Sequence, residues 1–414
     1  MSRLAELIEQ LCPDGVEYRP LGEVADLQRG SGMPKKLFVD EGIPAIHYGH
    51  IFTKYGIHTK CAAAYLAPED ADKLTRVYPG DLVVANTSEN LEDVGKGVVW
   101  LGEAEGVTGG HATVVRSLAV DTVFLSYYLR TEDFALKKRK YSQGTKVVEL
   151  SAANLSKIDI PVPPLAVQRE IVRILDQFTT LEAELEAELE ARRTQYEHYR
   201  NHLLSYESLA ARGPVEMVKL GNIASIQRGR RFTLDQLGGA GCPAIHYGQI
   251  YTHYGVSTTS VLSYIEESFS SSLRFALQGD VIVAAVGETV EDVGIGVAWL
   301  GADAVAYHDD SFALHHEQDP RYLSYWLRSD EYHRQKRSFV SQGKVKRLSA
   351  KGLAAVELPL PGLSEQRRIA DLLDHFDALV NDITSGLPAE IASRRAQYEH
   401  YRDRLLSFPE KKAE

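Results

Sequence analysis

The phrase AIHYGHIFTKYGIHT at Ala45–Thr59 returns as AIHYGQIYTHYGVST at Ala244–Thr258, with ten of fifteen positions identical. Self-similarity at a fixed distance constrains a fold more than local propensity does, because both copies must satisfy the same packing. The pair does not stand alone. VEYRPLGEVADLQRG from Val16 matches VEMVKLGNIASIQRG from Val215, and LEDVGKGVVWLG ending at Gly102 matches VEDVGIGVAWLG ending at Gly301. SQGTKVVELS from Ser142 matches SQGKVKRLS from Ser341, with one residue fewer. RRTQYEHYRNHLLSY from Arg192 matches RRAQYEHYRDRLLSF from Arg394. The chain of 414 residues is therefore a tandem duplication of a unit of about two hundred residues, too long for a solenoid repeat. It resembles a covalently fused dimer with an internal pseudo-twofold relation.

Within each copy the texture changes at a proline run, Ile160-Pro-Val-Pro-Pro164 and Leu358-Pro-Leu-Pro-Gly362. Before it, short β-branched runs such as Asp81–Ala85 and Gly279–Val283 alternate with glycine, the pattern of an irregular α/β globule. After it, glycine disappears and a helical period begins. Apolar positions at Ile171, Ile174, Phe178, Leu181, Leu185, Leu189, Arg192, Tyr196, Tyr199 and Leu203 step by three and four, as in a coiled-coil seam. Two successive fours at Leu181, Leu185 and Leu189 form a stutter, where Leu-Glu-Ala-Glu is repeated in tandem. The second helical stretch is expected to break at Gly386 and Pro388, with Ser385 as a cap for the restart. Glu182, Glu184, Glu186 and Glu188 exclude all-round burial, so the two helices are expected to pair antiparallel rather than each lie on its own globule. The expected division is a globule over 1–160, a helix over 161–213, a second globule over 214–358 and a distal helix over 359–414.

Net charge is −11, which weighs against nucleic acid, but residues 16–160 and 215–358 each carry only −2. Local basic clusters lie inside these blocks: Lys137, Lys138, Arg139 and Lys140 in one, Arg228, Arg230 and Arg231 in the other. A nucleic-acid footprint is a local patch rather than a sum. Three scattered cysteines support neither a disulfide framework nor a thiolate zinc site, and no apolar run reaches about 20 residues. A cytoplasmic protein without a membrane span is expected.

Catalytic motifs do not form. Gly30-Ser-Gly32 and Gly238-Gly-Ala-Gly241 lack the spacing of a phosphate-binding loop. Gly109-Gly110-His111 has His308-Asp309-Asp310 as its counterpart, and His315-His316-Glu317 has no metal-binding counterpart in the first copy. Glu92-Asp93 and Glu291-Asp292 are paired acids in both copies, a nuclease-like feature that turn chemistry explains as well. Binding is favoured over catalysis, and no metal site is expected.

Two variable globules, each followed by a strongly similar helix, resemble the specificity subunit of a Type I DNA restriction-modification system. The resemblance rests on Ile158-Asp-Ile-Pro-Val-Pro-Pro-Leu165 with Gln168-Arg-Glu-Ile171, on Leu358-Pro-Leu-Pro361 with Glu365-Gln-Arg-Arg-Ile369, and on Gln195–Arg200, Gln397–Arg402 and Gly386–Ile391. It implies two target-recognition domains of mixed α/β fold, held apart by two long antiparallel helices. Each domain would read half of a split, asymmetric sequence in double-stranded DNA. Two modification subunits, binding S-adenosylmethionine, would methylate adenine, and two restriction subunits would use ATP and Mg. This chain would carry no cofactor and no catalysis. A coiled-coil scaffold without a DNA role, and a self-contained methyltransferase or nuclease, are the rival readings.

Base edges are read by Arg, Lys, Asn, Gln and similar groups, while phosphates take generic basic contacts. The loop-like candidates in the first domain are Arg29, Lys35, Lys36, His50, Lys54, Asn86, Thr87, Asn90, Gln143 and Lys146. In the second they are Arg228, Arg230, Arg231, Gln249, His253, Gln342, Lys344 and Lys346. His47/His246 and Tyr48/Tyr247 are shared and read as inherited scaffold. His50 against Gln249, and Lys54 against His253, are the substitutions expected to distinguish the half-sites.

Overall fold

A computed structural model describes residues 3–381 and 386–411. The chain divides into two compact units, Met1–Leu185 with Ile391–Glu414, and Glu186–Glu390. The division falls inside one continuous helix of 39 residues, Leu165–Leu203.

Each unit is built on the same sheets. In the first, a five-stranded sheet runs in the order Ala25–Arg29, Ala112–Ser117, Leu82–Ala85, Gly97–Trp100, His58–Thr59. The run Leu-Val-Val-Ala at its centre is buried at every residue, because both faces are covered. Leu82 and Val84 face Phe124, Leu125 and Tyr127, whereas Val83 and Ala85 face Ile46, Ile51 and Trp100. The second unit repeats this alternation, with Val281 and Val283 on one side and Ile282 and Ala284 on the other. A second five-stranded sheet contains Ile43–Ile46 in one unit and Cys242–Ile245 in the other.

The proline runs end where helices begin, at Leu165 and Leu363. Gln168 anchors the first joint. Its Nε2 donates to the Pro163 carbonyl (2.6 Å), and its Oε1 accepts from the Asp121 N–H (2.7 Å). Asp121 in turn caps the helix Thr122–Tyr128. Gln366, Pro361 and Asp319 repeat the joint in the second unit.

The helices pair antiparallel within each unit. In the first, Phe178 stacks on Tyr401 at 5.8 Å and Glu182 pairs with Arg395 at 2.7 Å, so one chain rises as the other falls. In the second, Tyr199 stacks on Phe376, also at 5.8 Å. The expected seam is fully buried at Ile171, Tyr196 and Leu203, but Leu181 in the stutter is 40% exposed. Leu175, which the three-four phase skips, is buried. The second stretch forms two helices, Leu363–Asn381 and Leu387–Leu405, with Pro388 in the first turn of the latter. The expected cap Ser385 lies outside the described residues. Among the described residues no helix is long and apolar enough to cross a membrane.

Candidate nucleic-acid interface

The repeated phrase forms the end of a strand and the start of a short helix. Ile43–Ile46 leads into His47, which caps Tyr48–Thr53 by accepting the Gly49 N–H on Nδ1 (3.1 Å). His246 caps Tyr247–Thr252 in the same way (3.3 Å). An acceptor nitrogen must be unprotonated, and both sites enforce this. Burial, followed by nearby His50 and Lys35, pushes the His47 pKa down to about 4. Burial and His308 do the same at His246, also to about 4. A Cβ at Gly49 would lie 3.2 Å from the His47 ring nitrogen, so the glycine admits the capping ring. The shared His is scaffold.

The substitutions within the phrase are also partly scaffold. Gln249 donates to Ser263 (2.7 Å) and accepts from the His246 N–H (3.0 Å), closing a capping box. Its counterpart His50 is half-buried and packs on His47 and Phe38. Half-buried, His50 and Gln249 both turn back onto the cap. Lys54 and His253, at the helix ends, are exposed.

Asn86 is held inside the fold. It is 1% exposed and its Oδ1 accepts from Thr113 (2.8 Å). Thr87 is buried, bonded to His111 at 3.0 Å. Asn90 is exposed but closes its own turn on Asp93 through two bonds. That turn accounts for the acidic pairs, since Asp292 likewise accepts from Thr289 (2.6 Å).

Of the basic run 137–140, Lys138 is buried, and its ammonium donates to the carbonyls of Glu92 (3.0 Å) and Val94 (2.6 Å). Lys336 does the same for Glu291 and Val293. Lys137 is held by Asp133 at 2.8 Å. Lys138 is thus a clamp on the 86–96 loop, while Arg139 and Lys140 are exposed. Nothing in the tetrad KKRK distinguishes its buried member, and its counterpart Lys336 likewise lies in a basic stretch, Arg334-Gln-Lys-Arg337.

The remaining candidates are on the surface. Lys35, Lys36, Gln143, Lys146, Arg230, Arg231, Gln342 and Lys344 are exposed, and Lys346 is half-buried in a short strand. Arg29 and Arg228, at the ends of equivalent strands, reach the same turn: Arg29 donates to the Gly110 carbonyl (3.3 Å) and Arg228 to that of Asp309 (2.6 Å). In the second unit, Arg228, Arg231, Asp310 and Arg347 line a cleft of about 510 Å³. In the first, Tyr48, Phe52, Thr87 and Asn90 line one of about 370 Å³. Ligand atoms of His308, Asp309 and Asp310 lie within 4.8 Å of one another, but Arg228 and Arg347 already pair with Asp310 at 3.5 and 3.2 Å. His315 pairs with Asp280 at 2.8 Å, and the His316 Nδ1 accepts from the Gln318 N–H (3.1 Å).

The architecture, two equivalent α/β globules with long helices, is matched by known proteins. The family model described as the Type I restriction modification DNA specificity domain matches twice, over residues 13–191 and 213–393. The chain belongs to the Type I restriction-modification DNA specificity family. The EcoR124I/EcoR124II specificity subunit of Escherichia coli is 34% identical over 63% of this chain, and the match spans 65% of that subunit's length. A type I restriction enzyme specificity subunit of Haemophilus influenzae is 28% identical over 95% of this chain and 96% of its own length. A chain from a structural study of assembly and conformational transition in the type I R-M system shares the fold, with a TM-score of 0.67 at 18% identity. It is covered over 98% of its length and covers 95% of this chain. The HsdS subunit of Thermoanaerobacter tengcongensis gives 0.50 at 18% identity, with coverage of 96% of this chain and 98% of that one. Specificity subunits recognise rather than catalyse, so the Type I chain described here is not itself an enzyme and the rival catalytic reading falls away.

Proposed function

We propose that this specificity chain binds double-stranded DNA at a split, asymmetric sequence, each globule (1–160 and 214–358) reading one half. It docks two modification subunits through its long helices and, through them, two restriction subunits, within the cytoplasm. The observation that carries this reading is the pair of equivalent globules with one backbone frame and different polar groups at the same turn, as expected where one scaffold reads two sequences. Arg29, Lys35, Lys36, Lys54, Gln143, Lys146, Arg228, Arg230, Arg231, His253, Gln342 and Lys344 are the exposed groups available to bases and phosphates. The continuous helix Leu165–Leu203 is the element that would set the spacer between half-sites.

The test is coexpression with a modification subunit in a host lacking such a system, followed by methylome sequencing. A bipartite methylated motif that depends on this chain is expected. Methylation that is absent, or that forms no bipartite motif, would favour the scaffold reading.

A further inference from the structure

The two copies have equivalent backbones around the arginine turn, and this fixes which side chains correspond. Glu149 pairs in register with Thr87, and Arg347 pairs with Val286, the residue that matches Thr87. The Asn86 N–H donates to the His111 carbonyl at 2.8 Å, and the Ala285 N–H donates to that of Asp310 at 2.8 Å. Glu149 thus corresponds to Arg347, and His111 to Asp310. The dropped residue between Ser142 and Leu150 hides the first correspondence from a constant-offset reading.

At these positions the charges are exchanged. In the first copy Arg29 is paired with Glu149 at 3.5 Å, and the side chains are 56% and 45% exposed. In the second, Asp310 receives both Arg228 (3.5 Å) and Arg347 (3.2 Å). Both arginines are 57% exposed although pinned, whereas Asp310 is 20% exposed. One mouth is a neutral pair that presents a carboxylate. The other presents two oriented guanidiniums on Asp310, with Asp309 also 3.9 Å from Arg228 and Arg231 on the same cleft. The packing beneath has changed as well: the buried Asn86–Thr113 bond is replaced by Ala285 and Phe312.

A guanidinium held at one edge and open at the other matches the O6 and N7 acceptors of guanine, and a carboxylate can only accept, as from the cytosine amino group. We infer that Arg347 reads a guanine in one half-site, positioned by Asp310, and that Glu149 at the equivalent place reads a cytosine amino group in the other. This exchange would be a main source of the asymmetry of the site, since a carboxylate and a guanidinium each repel what the other attracts. The inference rests on the proposed DNA-reading function.

The test uses the full chain assembled with its modification subunits, with the methylome as readout. Arg347→Ala is expected to make a single guanine position degenerate in one half-site, with discrimination falling on the order of tenfold to a hundredfold. Glu149→Ala should relax one position in the other half-site only. Asp310→Asn, which keeps the fold but releases both arginines, should relax the same position as Arg347→Ala. An unchanged motif in Arg347→Ala, or methylation lowered evenly with no change in sequence, overturns the inference; the second result marks a phosphate contact. If the unsubstituted complex methylates no bipartite motif, it is the DNA-reading function that fails.

Discussion

The Tyr127 hydroxyl donates a 2.7 Å hydrogen bond to the Asp176 carboxylate, joining the globule of the first unit to its long helix. Tyr325 and Asp374 make the same bond at the same length in the second. There, however, Arg321 also reaches Asp374 at 2.6 Å and Asp371 at 2.8 Å.

Tyr127→Phe should therefore cost about 1 kcal/mol, and Tyr325→Phe less, because Asp374 keeps its arginine. Urea unfolding of the two variants measures the difference. Burial pushes the Asp176 carboxyl up, but bonds from His58 and Tyr127 bring it below its usual value. A depressed carboxyl contributes stability above its unfolded pKa of about 3.9 and loses it as pH falls through the folded value. The cost of Tyr127→Phe should accordingly shrink from about pH 6 to about pH 3. A cost that stays constant would mean the bond is not made to the ionised carboxylate.

The capping histidines give an opposite titrating group with the same sign. With His47 and His246 at about 4 when folded and about 6.5 when unfolded, the unfolded chain takes up protons first as pH falls. Stability is present above about 6.5 and is lost on the way to 4. His47→Asn keeps a capping acceptor and should flatten the first unit's share of this loss. Thermal midpoints at pH 7 and pH 5 would show it, and an undiminished slope in the variant would remove His47 as its source.

Burial lowers the Lys336 pKa to about 7 and the Lys138 pKa to about 8, against an unfolded value of about 10.4. Between those values the unfolded chain binds more protons than the folded one, so stability should rise with pH from about 7 upward. Lys336→Met removes this rise in the second unit and frees the carbonyls of Glu291 and Val293. The climb in unfolding temperature between pH 7 and pH 9 should shrink in the variant to the share that Lys138 supplies. The loop 286–293 should also gain hydrogen exchange.

Helix starts and the break before Leu387 were legible in the sequence, because proline placement and apolar period are local signals. The β-branched runs marked strands but not their burial on both faces. The chemistry of the turn was not legible. Gln168 and Gln366 look like surface residues of a helix, yet each joins a proline carbonyl to a capping aspartate about 47 residues away in the chain. Lys138 sits in a basic run but is buried, and Gln249 looks like a base reader but closes a cap. For Gln168, Gln366 and Lys138 a long-range backbone partner decides the role, and for Gln249 a cap three residues back does; no periodicity encodes either.

Deleting Leu185–Glu188 removes ~6 Å of helix at ~1.5 Å per residue. At ~3.4 Å per base pair this is just under two base pairs. If the long helix sets the spacer, methylome sequencing of the deletion should find both half-sites intact and the spacer shorter. An unchanged spacer rules out the helix as the ruler.

The first unit is discontinuous: its Val16 exchanges backbone bonds with Pro409 and Lys411, and Leu406 and Phe408 enter its core. The second is continuous from Glu186 to Glu390. On a ribosome that adds about 5–20 residues per second, the second globule can close while it emerges, whereas the first must wait for the segment from Ile391 onward, which follows the second globule. Of the two units, the one begun earlier is completed later, and in the interval its unpaired edge at Val16 and its open core are exposed to chaperones and to other chains.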